Sequence, residues 1–137
     1  MGAPFGDYIL TSYAVACERG EVSLRARRPF EGEPRETEIL FSGVVAYDFE
    51  HDNFGTILGH IIELSLDEFV RANAEKFAEG WHLSGWARFW TGDVDETVRT
   101  LRARDVHAFE ISSSYGMRGW VLATSFETRV SPEDRCV

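Results

Sequence analysis

Lysine is nearly missing from this chain. Of its 14 basic residues only Lys76 is a lysine, and no function is taken from that bias. Cysteine is almost as scarce. Cys17 and Cys136 form no metal-ligand spacing and no disulfide framework, so a structural zinc site is excluded. Cys17 is expected as a buried thiol in a strand and Cys136 as a free thiol near the end of the chain. No apolar run approaches the roughly 20 residues that span a bilayer. The opening "MGAPFGDYIL" has neither the basic nor the apolar region of a signal peptide, and Gly6 stands where a myristoylation signal wants Ser or Thr. The expectation is a soluble, cytoplasmic protein. Internal repeats, low-complexity tracts and Pro/Gly/Ser linkers are all missing, which leaves one domain over residues 1–137 with a short flexible tail from about 131. Positive charge is also in deficit. A net charge of −9 disfavours binding to nucleic acid or an anionic membrane, which need a basic footprint, and it permits docking on a basic protein.

What is present is apolar and aromatic: 44% and 13% of 137 residues, enough for one proper hydrophobic core. "YILTSYAVAC" (8–17) is rich in β-branched and aromatic types and reads as a strand. In "EVSLRARR" Val22, Leu24 and Ala26 alternate with polar residues, so one face is buried and Arg25 and Arg27 stand in solvent. Residues 36–49 alternate and end in the apolar "FSGVVAYDF", read as one central strand packed on both faces. "TILGHIIEL" (56–64) is a further strand. Ser65 with Glu68 forms a capping box, Leu64 and Phe69 a hydrophobic staple, and Leu66, Phe69, Val70, Ala74 and Phe77 a helical stripe that Asn73 interrupts. That helix is expected to stop at Gly80. A second helix is expected over about 93–104, capped by Asp93, with Val94, Val98 and Leu101 inward. "VHAFEI" and "GWVLATSF" close the list as two strands joined around Gly116 and Gly119. The fold class is therefore α+β. It is an antiparallel sheet of about six strands, with a sandwich-like form as one option, packed with two α-helices.

Chemistry concentrates in "FEHDNFGTILGHIIEL" (49–64), which carries Glu50, His51, Asp52, His60 and Glu63. If strands 41–49 and 56–64 form a hairpin with Phe49 facing Thr56, His60 joins the apolar face of Phe41, Val45 and Tyr47 while Glu63 points the other way. His51 and His60 then lie on the order of 20 Å apart, too far for one ion. Asp48, Glu50 and Asp52 resemble the start of a calcium loop. However, Asn53 and Gly59 occupy the positions where that loop needs its glycine and its glutamate. No metal and no cofactor is expected. "SSSY" (112–115) lacks the glycine-flanked elbow of a serine nucleophile, and its nearest histidine, His107, shares a strand face with Phe109 and Ile111. Ser112 to Ser114 are expected to satisfy turn backbone groups, and no catalytic residue is assigned.

The densest remaining feature is "WHLSGWARFWTG" (81–92). Trp86 and Trp90 at helical spacing would stack beside Phe89, with His82 and Arg88 as polar rims and Trp81 close by. These rings serve either as core capping the end of the sheet or as an aromatic platform for a partner. The candidate binding residues are Trp81, His82, Trp86, Arg88, Trp90, Glu50, His51, Asp52 and Tyr115.

The order of short strands, "FSGV" followed by an acidic turn and a capped amphipathic helix, and the acidic whole resemble the small bacterial immunity proteins of toxin–immunity systems. The resemblance spans residues 8 to 80. It implies a non-enzymatic protein-binding module that neutralises a basic toxin by covering its site with an acidic and aromatic surface. Two other readings stay open. One is a small-molecule binding protein or enzyme with an aromatic-lined cleft, using Trp86, Trp90 and Tyr115 with His51 or His82. The other is a structural homo-oligomer whose Trp segment buries against its own copy.

Overall fold

The computed structural model describes residues 2–28, 36–51 and 54–130. Among them the chain runs β1 (Gly2–Ala16), β2 (Glu21–Arg27), β3 (Glu36–Ser42), β4 (Ala46–Glu50), β5 (Ile57–Leu64), α1 (Leu66–Ala72), α2 (Ala74–Leu83), α3 (Val94–Ala103), β6 (His107–Tyr115), β7 (Arg118–Ala123) and β8 (Ser125–Val130). All pairings are antiparallel, in the order β4-β7-β6-β5-β1-β2-β3-β8. The α+β class with an antiparallel sheet holds. The strand and helix numbers do not: the described residues form eight strands rather than about six, and three helices rather than two. The expected tail from 131 lies outside the described residues.

The extra strands arise from bends within stretches that read as single strands. Residues 36–49 break at Gly43, which sits at φ 61, and 118–126 bend at Thr124. The ladder that ends at Ser42↔Ser125 resumes at Ala46↔Leu122, four steps along one strand against three along the other, which is the mark of a bulge. Thr124 pins the bend by donating its N–H and its hydroxyl to Ser42 O, at 3.0 and 3.1 Å. Since β7 continues through the Thr124 bend into β8, the first pairing with β6 and the second with β3, the sheet closes into a ring. β4 continues β3 beyond that ring, so the stretch read as a central strand ends as an edge. A closed barrel takes the place of the sandwich-like option.

Two cores follow from the alternation of β7, whose residues Trp120 to Ala123 are all buried. Val121 and Ala123 belong inside the ring with Leu24, Ile39, Phe41, Leu58 and Ile111. Trp120 and Leu122 face outward, beneath Phe69, Val70, Phe77, Val98 and Leu101 of the helices. Each fully buried side chain of this size contributes about 1.5–3 kcal/mol relative to exposure.

The helix starts come out as the sequence indicates. Ser65 accepts from Glu68 N at 3.3 Å and Asp93 from Glu96 N at 2.9 Å. The single helix expected from Ser65 to Gly80 is instead two, because Asn73 (φ −110) turns its amide onto Phe69 O at 2.8 Å and breaks the run. Gly80 does not stop α2. Gly85 does, at φ 73, with its N–H on Gly80 O at 2.8 Å. Gly80 is there for space, since a Cβ on it would lie 2.3 Å from Trp86 Nε1.

The hairpin expected between 41–49 and 56–64 is not formed. β4 lies on β7, and β5 lies between β1 and β6. His60 is exposed rather than on the core face, and pairs with Pro4 across the ladder. Cys17 is exposed in the β1–β2 turn, not a buried strand thiol.

Candidate functional site on the two faces of strand β4

β4 carries the sequence "AYDFE", in which two carboxylates alternate with two aromatics. Strand geometry sends them to opposite sides. Asp48 and Glu50 stand on the helical side, opposite Trp120 and Arg118 of β7, whereas Tyr47 and Phe49 stand opposite Val121 and Gly119 on the barrel side. β4 fits there because Gly119 has no side chain. A Cβ on Gly119 would lie 1.9 Å from Asp48 O.

On the helical side a groove of about 650 Å³ opens between α1, α2 and strands β4, β7 and β6, and Phe69 and Trp120 lie along it with their rings 5.2 Å apart. Its charged lining consists of Asp48, Glu50, Glu68 and Glu110 against Lys76 and Arg118, an excess of negative charge. Lys76 Nζ is committed to Asp48 Oδ2 at 2.8 Å. The ammonium holds one wall of the groove to the helix rather than offering a free cation.

On the barrel side the surface is aromatic. Phe49 packs edge-on to Tyr13 (5.8 Å) and beside Tyr47 (5.2 Å). A second hollow, about 450 Å³, is lined by Val15, Cys17, Val44, Tyr47 and Trp86 among others. Tyr13, Val15, Tyr47 and Trp86 all remain exposed although they are large and apolar. A smaller hollow between Tyr47, Asp48, Lys76 and Trp86 joins this aromatic surface to the acidic groove. The β4 edge thus runs between an acidic face and an aromatic one.

Of the residues singled out from sequence, Glu50 lines the groove and Trp86 the aromatic hollow. Trp86 is half-exposed, its ring edge-on to Phe77 at 6.1 Å. Trp90 is different: it is partly buried against the helical core. The expected Trp86–Trp90 stack is not made, because Gly85 ends the helix and the chain turns at Arg88 and Phe89 to bury Ala87 and Phe89. Trp81, His82 and Arg88 are exposed but line neither the groove nor the hollows described. His51 is exposed just past β4 at φ 58, and Tyr115 is exposed at the end of β6. Asp52 lies outside the described residues. Tyr13, Tyr47, Phe49, Glu68 and Glu110 line these faces too and are not among the binding residues expected from sequence. The signal for two of them was the alternation in "AYDFE".

The other polar clusters are structural. Ser112 Oγ bridges the bulged β5–β6 ladder, accepting from His60 N and donating to His60 O, both at 3.1 Å. Ser113 donates to Met117 O. His107 lies between Glu63 (Nδ1, 2.8 Å) and Asp105 (Nε2, 3.3 Å) on the surface. Among the described residues no group of three His, Cys, Asp or Glu is placed to hold a metal ion, and no helix is long and apolar enough to cross a membrane. No protein-family model matches the sequence, and no curated protein matches it.

Proposed function

We propose that this protein is a non-enzymatic binding module that holds a basic protein partner on the β4 side of its sheet, in the manner of the toxin-neutralising immunity proteins it resembles. The observation that carries this reading is the junction at β4, where an acidic groove and an exposed aromatic surface meet over one strand. The two parts divide the work. Carboxylates, together with the net charge of −9, speed encounter with a basic surface, while ring burial carries most of the affinity. The resulting complex covers the partner's basic site and so blocks it.

Affinity capture from the source cells, followed by calorimetric titration of the purified captured protein, tests this. A basic partner should bind at one to one. Trp86→Ala and the pair Glu50→Gln with Glu110→Gln should each weaken binding by at least about tenfold, and added salt should slow association. A partner that binds all these variants as well as the parent would remove this face from the function. A second reading rests on the groove itself, whose volume of about 650 Å³ lies in the range of small-molecule sites. Trp120 beside it makes fluorescence the test: a saturable response to a metabolite would favour the cleft over the protein surface.

A further inference from the structure

We infer that the partner docks by adding a strand to the free edge of β4, through an extended segment in which basic and apolar residues alternate. This rests on the reading of a basic protein partner and says how that partner is held. β4 ends the strand order and pairs only with β7 among the described residues, so no described strand takes the peptide groups on its other side. A strand laid along it would send alternate side chains to the same two faces that β4 does. Those on the helical face would meet Glu50, beside the Asp48–Lys76 pair, at the mouth of the acidic groove. Those on the barrel face would meet Tyr47 and Phe49, with Tyr13 behind them. Cross-strand neighbours of this kind set the preference: arginine or lysine on one side, aliphatic or aromatic residues on the other.

The molecule's other terminal edge makes a poor dock. On β8, Glu127 and Arg129 are exposed and paired to each other at 2.6 Å, a mixed-charge edge of the type that discourages strand addition. A second copy of this chain is also disfavoured. Two β4 edges paired with each other would set the carboxylates of one copy against those of the other.

The probe is a synthetic peptide of about eight residues in which arginine alternates with valine or tyrosine, long enough to cover the strand. Two controls accompany it: the same residues in blocked order, and the alternating peptide N-methylated on its backbone. Titration followed by amide exchange on the labelled protein should show the alternating peptide binding at least about tenfold better than either control. Amides of residues 46–50 should gain protection. Glu50→Lys, a change at an exposed position, should abolish binding of the arginine peptide and create binding for one in which glutamate replaces arginine. Equal binding of all three peptides without protection in β4 would overturn strand addition while leaving the acidic and aromatic surface in place. No binding of the alternating peptide, in a protein that still binds its captured partner, would overturn it as well. Failure to find any basic partner would strike the underlying reading instead.

Discussion

Gly119 and Gly80 each keep a place empty, and the neighbour that fills it differs. At Gly119 the neighbour is the backbone of Asp48 and Phe49, which cannot swing aside. Gly119→Ala should therefore lift β4 from β7, cost about 1–3 kcal/mol in a urea titration, and weaken partner binding at the same time. At Gly80 the neighbour is the ring of Trp86, on a non-helical segment. Gly80→Ala should displace that ring, visible as a shift in tryptophan emission, with a smaller loss of stability. The two tryptophans that the sequence placed together should also part company. Trp90→Ala removes a ring packed on the helical core and should cost about 2 kcal/mol or more. Trp86→Ala, at a more exposed ring, should cost less than Trp90→Ala and act on binding. A Trp86→Ala protein that unfolds would mean that ring is core and not an anchor.

Helix ends were legible because they are local. Capping needs a side chain and an N–H three residues on, and Ser65–Glu68 and Asp93–Glu96 supply both. Ser65→Ala and Asp93→Ala should each lower stability by about 1 kcal/mol, read as a lower denaturant midpoint with unchanged slope. Between α1 and α3 an exposed ion-pair cluster adds to the apolar packing of Val70, Val98 and Leu101. Arg71 bonds Asp67 and Asp95, each at 3.2 Å, and the hydrogen bond to Asp67 above all raises its pKa above the usual arginine value. A raised pKa on a base contributes below its ordinary range and is lost only above it, so this contact adds no pH dependence near neutrality. Strand partners were not legible in the same way. β4 and β5 are neighbours in sequence but bind strands from elsewhere, since a sheet pairs whatever edges its closure brings together. The bends at Gly43 and Thr124 hid the strand number for the same reason: a bulge changes which residues face each other without changing their types.

On the scale of the whole molecule, β7 makes one unit of two cores. Leu24 is fully buried inside the barrel and Leu101 in the helical layer. The tryptophans lie in the helical layer or beside it. Leu24→Ala should nonetheless shift the tryptophan-detected unfolding midpoint, at a cost of about 2–5 kcal/mol, and Leu101→Ala should do the same. Amide exchange in the barrel strands should report the same free energy. A barrel mutation that leaves the tryptophan transition untouched would mean that the two layers unfold apart.

The sequence by itself determined the two helix caps at Ser65 and Asp93 and the buried-to-exposed alternation of β2. Each of these depends on residues within a turn or a few strand positions of one another. Tertiary structure alone decided that the sheet closes, that β4 is an edge, that Trp86 is more exposed than Trp90, and that Glu50, Glu68 and Glu110 share one groove. Those facts depend on contacts between segments far apart in the chain, and whether a ring or a carboxylate meets water or core is set by what the rest of the fold places over it.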